Sequence, residues 1–157
     1  MLKRNYQGTT LIELMAVIAI IGIMTTVFLV VFSKNNRTQK ELEVEARKVL
    51  AAIEETRNFS LTGKNAGSSC GNVNTFNYGP GEIYYINGCN SVAYNLENGV
   101  SFSGSGTVSF AVPHGNLSWS GGGSVKDIDL VKNEKHYHIC VQSSGRIELS
   151  GSNPCVP

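Results

Sequence analysis

The sequence predicts an α+β fold: one long N-terminal helix whose second half packs on an antiparallel β-sheet. Three observations carry the prediction. Residues 11–32 form an otherwise apolar run with a single charged side chain, Glu13. From about residue 42 a helical period continues with a polar face added. After residue 60, where 15 of the 17 glycines fall, short β-branched or aromatic runs alternate with Gly, Asn and Ser clusters.

The first element is Leu11 to Phe32, 22 residues, which as a helix spans roughly 33 Å, the thickness of a bilayer core. It reads as a transmembrane helix. Lys3 and Arg4 precede it, and by the positive-inside tendency they hold the N-terminus in the cytoplasm and send the remainder across the membrane. Ser33, Lys34, Asn35 and Asn36 follow it without the small-residue cleavage site of a secretory signal. The apolar segment is therefore expected to stay in the mature protein.

The helix is expected to continue, running in all from about Thr10 to Ser60. Leu42, Ala46, Val49, Leu50 and Ile53 recur at three- and four-residue steps, and Glu41, Glu43, Glu45, Arg47, Lys48, Glu54 and Glu55 fill the other face. Thr62, Gly63 and Lys64 mark the break, with Gly63 as the C-terminal stop. The apolar stripe of this half requires a cover, which the β-rich remainder supplies.

Candidate strands are Ile83 to Ile86, Ser91 to Asn95, Val100 to Ser103, Thr107 to Val112, Leu117 to Trp119, Asp127 to Val131, His136 to Gln142 and Arg146 to Ser150. Asn87-Gly88, Asn98-Gly99 and Ser144-Gly145 suggest hairpin connections. One small globular domain fits the length. Net charge is +1, and without Lys3 and Arg4 it becomes −1, 11 basic against 12 acidic side chains. Bulk electrostatic capture of nucleic acid is not indicated.

Cys70, Cys89, Cys140 and Cys155 are even in number and all fall in the part expected outside the cytoplasm, so disulfides are the natural reading. Four cysteines allow three pairings, and order along the chain favours Cys70–Cys89 and Cys140–Cys155. His136, His138 and Cys140 alternate and would share one face of a strand. They offer three zinc-type ligands but no evident fourth, and Cys140 is better employed in a disulfide, so no metal and no cofactor are expected. Asp127, Asp129, Asn133 and Glu134 lack the central Gly and terminal Glu of a hand-type calcium loop and read as a turn with solvated acids. No nucleophile elbow or believable carboxylate pair occurs, so no catalytic residue is assigned and an enzyme is not expected.

Glu13 remains to be explained, because a carboxylate within a membrane span is costly and marks a functional site by default. The stretch "QGTTLIELMAVIAIIGIM" resembles the N-terminal motif of type IV pilins and pseudopilins: a short basic leader ending in Gly, and a Glu at the fifth position after it. The resemblance covers Met1 to about Val31. It implies that prepilin peptidase cuts between Gly8 and Thr9 and methylates the new amine, and that Glu13 pairs with the amine of a neighbouring subunit. Thr9 stands where the family most often has Phe. Val30 stands where many major pilins carry a kinking Pro, which argues for a straighter helix here. The resemblance implies the pilin fold, and gives a leader at 1–8, a transmembrane and assembly helix at 9–32, an amphipathic continuation at 33–62 and an extracytoplasmic β-rich domain at 63–157. The Cys140–Cys155 pair is similar to the C-terminal disulfide loop of many type IV pilins.

"ICVQSSGRIEL" and "EARKVLAAIEETRNFSLTG" are loosely similar to H-type pseudopilins and FimT-type minor pilins. DNA-binding members of that group carry Gly-Arg-x-Arg near the C-terminus. Here Gly145 and Arg146 match the first half, and Glu148 stands in place of the second Arg. An acid at that position opposes phosphate binding, so Arg146 is at most a weak DNA contact and DNA is not an expected partner. The resemblance implies a minor pilin or pseudopilin of the cytoplasmic membrane, drawn into a pilus or a type II secretion pseudopilus. Its implied partners are prepilin peptidase, other pilin or pseudopilin subunits, an inner-membrane assembly platform and membrane lipid. Two alternatives stay open: a major pilin of a surface filament for adhesion, motility or DNA uptake, and a monomeric membrane-anchored binding domain in which Glu13 is incidental.

Overall fold

The computed structural model of the chain describes residues 11–64, 71–119 and 123–156. The described residues form one helix, α1 (Leu11–Thr62), followed by nine strands. Two compact units share the helix, Met1–Arg37 and Thr38–Pro157. In the first, the described residues are helical throughout. The second holds the rest of α1 and all the strands. The architecture is α+β.

Within the second unit, α1 buries Leu42, Ala46, Val49, Ala52 and Ile53, spaced to form one stripe. Leu50 is half-buried. Glu45 departs from the expected polar face: it is fully buried, with Lys48 Nζ 2.9 Å from Oε1 and no partner for Oε2. It lies one residue before Ala46, at the edge of the stripe. Lys48 also pairs with Glu97 at 2.8 Å. The bonds to Glu97 and Glu45 raise its pKa above the usual lysine range. The helix ends at Thr62, and Gly63 takes φ +67°, the left-handed conformation that glycine adopts without steric cost.

The strands form two antiparallel sheets where the sequence suggested one. The five-stranded sheet has β1 (Val73–Tyr78), β2 (Ile83–Asn87), β3 (Ser91–Asn95), β5 (Gly106–Ala111) and β6 (Asn116–Trp119) in the order β3-β2-β1-β5-β6. The four-stranded sheet has β4 (Ser101–Phe102), β7 (Val125–Lys132), β8 (Lys135–Gln142) and β9 (Ile147–Gly151) in the order β4-β7-β8-β9. Strand β1, which is not among the candidate strands, is the centre of the larger sheet. Asn98-Gly99 does turn the chain, with φ of 58° and 67°. It is not a hairpin, because β3 before it and β4 after it belong to different sheets.

One core joins the helix and both sheets. Phe76, Tyr78, Tyr84 and Phe102 form an aromatic cluster with ring centroids 5.1 to 6.1 Å apart. Val108, Phe110, Ile128, Leu130, Ile139 and Val141 complete it. A polar chain runs through its side. Thr56 Oγ1 donates to Ala52 O at 2.7 Å, Ser60 Oγ donates to Phe110 O at 3.0 Å, and Asn74 Nδ2 donates to Ser60 Oγ at 3.1 Å. Two longer ties hold the helix to the smaller sheet. Lys132 meets Glu41 at 2.5 Å, and Arg57 donates to Gly145 O at 2.9 Å in the β8–β9 turn.

Candidate functional site

The segment Leu11–Leu29 is 19 residues long and apolar enough to cross a membrane, about 28 Å as a helix. None of it is buried within the chain. Its apolar side chains stand exposed on every face, Leu11 at 77%, Ile18 at 61% and Met24 at 71% among them. A helix apolar all round is stable only when lipid or other helices surround it. The threonine hydroxyls inside it satisfy themselves: Thr25 Oγ1 donates to Ile21 O at 2.6 Å, and Thr26 Oγ1 lies 2.8 Å from Ile23 O and 3.1 Å from Gly22 O. Such backbone bonds remove the cost of a hydroxyl in hydrocarbon. A Cβ on Gly22 would meet nothing within 4 Å, so this surface is open to close approach by another helix.

Glu13 lies in the first turn of α1 and is exposed. It is the only Asp, Glu, Lys or Arg between Leu11 and Leu29. Gly8 and Thr9 lie outside the described residues. Residues 3–29 match the family model described as the prokaryotic N-terminal methylation motif. This is a type IV pilin-like chain. The motif marks a protein that prepilin peptidase processes and that assembles with pilin-type subunits, and with the apolar helix it fits a membrane-anchored pilin. No curated protein and no solved structure matches the chain.

The other residues singled out in the pilin-like chain fall in the second unit. Cys140 and Cys155 are bonded, with Cα atoms 5.5 Å apart. Cys89 is also disulfide-bonded, and no described cysteine is free. Cys70 lies outside the described residues. Arg146 is exposed and pairs with Glu148 at 2.8 Å, and Gln142 Nε2 donates to the other oxygen of Glu148 at 3.1 Å. The acid that replaces the second Arg of the DNA-binding element thus occupies the guanidinium of the first.

The His136–His138–Cys140 row does share one face of β8, and the structure brings to it two acids, Asp127 and Asp129, that the sequence reading took as solvated. Asn133 and Glu134, both at positive φ, make the two-residue β7–β8 turn. Asp127 and Asp129 lie on β7, within the candidate strand Asp127 to Val131. Register then sets Asp129 opposite His138 and Asp127 opposite Cys140. His136 Nδ1 is 2.8 Å from Asp129 Oδ2, and His138 Nδ1 is 3.0 Å from Asp127 Oδ1. The signal for this lay in the turn. Two residues at 133–134 fix Lys132 opposite Lys135, and every later pair follows.

Proposed function

We propose that the chain is a minor pilin or pseudopilin, cut between Gly8 and Thr9 and methylated on Thr9. It waits in the cytoplasmic membrane with its β domain on the far side and enters a pilus or type II secretion pseudopilus through an inner-membrane platform. The observation that carries this is Glu13, one carboxylate on a span of 19 exposed residues within a methylation motif. A carboxylate within a membrane span is costly in lipid. In a filament the amine of Thr9 from a neighbouring subunit neutralises it, so the charge favours entry into the filament. The small residues Ala16, Ala19 and Gly22 let the helices approach there. The mechanism is assembly, with no chemical step assigned to this chain's own residues.

The test is incorporation of Glu13→Ala into sheared filaments from cells that make them. The proposal expects wild-type chain in the filament at low stoichiometry, and at least a tenfold drop for Glu13→Ala while cleavage and membrane level stay normal. Equal incorporation of the variant would favour the anchored binding domain. Dominance of the wild-type chain in the sheared fraction would make it a major pilin.

A further inference from the structure

The acidic and imidazole groups on the face of β7 and β8 opposite Ile128, Leu130 and Ile139 form a constellation that the assembly reading does not use. One ligand atom from each of Asp129, His136 and His138 lies within 4.8 Å of the others. Asp129 Oδ2 accepts from Ser103 Oγ at 2.7 Å and meets His136 Nδ1 at 2.8 Å. Asp129 Oδ1 is buried and has no hydrogen-bond partner, although His138 Nδ1 stands 3.8 Å away. A buried carboxylate oxygen without a donor is costly, and an ion between it and the two rings removes that cost.

We propose that Asp129, His136 and His138 bind a borderline divalent transition-metal cation of the Zn2+ type, with Asp127 as the positioning residue behind His138. Three considerations give the class. Two imidazoles with a carboxylate suit Zn2+ and its neighbours rather than the hard cations, which prefer oxygen-rich cages. Bonds of about 2.0–2.2 Å to nitrogen and oxygen place tetrahedral ligand atoms about 3.4 Å apart. One ligand atom from each of the three residues already lies within 4.8 Å of the others, so side-chain rotation on a fixed backbone brings them to that spacing. Asp127 holds His138 Nδ1 at 3.0 and 3.1 Å through its two oxygens, which leaves Nε2 to ligate, the carboxylate–histidine pairing that orients metal-ligating imidazoles.

The backbone supports the site. His136 and His138 are stacked, with ring centroids 6.2 Å apart and planes 14° from parallel. The β8–β9 register shifts between His138 and Ile139, where β9 carries the extra residue Ser150, and such bulges re-aim neighbouring side chains. Cys155 N donates to Asp127 Oδ2 at 3.4 Å, so the disulfide-tied C-terminal segment abuts the positioning residue. The sequence reading sought its third ligand in Cys140, which is in the disulfide. Strand pairing supplies Asp129 instead.

The experiment uses the untagged full-length chain in detergent micelles, stripped of metal and titrated with Zn2+ against a chromophoric chelator. Co2+ serves as the spectroscopic probe. The expected result is one Zn2+ per chain, ligand-field absorption with Co2+, and no displacement by excess Ca2+ or Mg2+. His136→Ala alters a half-exposed side chain, so its fold should persist, and it should weaken Zn2+ at least tenfold, as should Asp129→Asn. Asp127→Asn should weaken binding about 10- to 100-fold with the Co2+ spectrum retained at saturation. His114→Ala, an exposed histidine elsewhere, should change nothing. Absence of binding below about 100 μM, wild-type affinity in both His136→Ala and Asp129→Asn, or displacement by Ca2+ would overturn the proposal.

Discussion

Ser60→Ala should destabilise the β domain by more than one hydrogen bond, because Ser60 bridges helix and sheet. Its buried Oγ donates to Phe110 O at 3.0 Å and accepts from Asn74 Nδ2 at 3.1 Å. The lost donor costs about 1 kcal/mol net. Asn74 is fully buried with Oδ1 already unpartnered, and its Nδ2 would keep only the 3.4 Å contact to Lys64 O. A buried amide left in that state adds about 1–2 kcal/mol. The total is about 2–3 kcal/mol, a fall of about 10 °C in Tm for a domain of this size. In an Asn74→Val background the amide is gone, and Ser60→Ala should cost only about 1 kcal/mol. Urea unfolding of the full-length chain in micelles, followed by the fluorescence of its one tryptophan, Trp119, measures all four corners of the cycle. Equal costs of Ser60→Ala in both backgrounds would refute the coupling.

Gly106→Ala should cost about 1–3 kcal/mol by overpacking, because the new Cβ would lie 2.7 Å from Tyr78 Oη and 2.9 Å from its Cζ. Adding Tyr78→Phe should recover part of that loss in the same urea assay. Burial, with the Asp127 charge second, pushes the Tyr78 hydroxyl up to about 12 from its usual 10. The unfolded chain therefore releases this proton first, and stability should fall as pH rises from about 10 to 12, by at most about 1.4 kcal/mol per unit. Urea midpoints at the two ends of that window should show a shallower decline in Tyr78→Phe. Replacing Cys140 and Cys155 together by Ser removes a crosslink of sequence separation 15 and should lower stability by about 3 kcal/mol, read as an earlier urea midpoint with a slope that rises as the unfolded chain expands.

Much of this fold was legible because its signals are local. The α1 period and the Gly63 stop are readable from neighbours a few residues apart, and eight of the nine strands lie within candidate runs or overlap them. Strand β1 escaped for a physical reason. Its inward positions are Asn74, Phe76 and Tyr78, and Asn74 is a core residue only because Ser60, 14 positions earlier, receives its amide. That bond is invisible in a sequence, so an Asn-rich stretch beside Gly71 and Gly79 gives no strand signal. The two-sheet arrangement escaped likewise, since it rests on distant pairings such as β1 with β5. Glu13 stood out because a carboxylate in an apolar helix is anomalous on energetic grounds alone. Asp129 did not, because its relation to His136 and His138 exists only across a strand pair.

The central claim, that this chain is made as a precursor and matured for filament assembly, is tested most directly by intact mass of the membrane-purified protein. It is measured with and without reduction, from cells containing or lacking prepilin peptidase. The account predicts loss of residues 1–8 and gain of one methyl group only where the peptidase is present, with four hydrogens gained on reduction. A chain still beginning at Met1 in peptidase-positive cells would contradict it, for Glu13 would then have no new amine to meet.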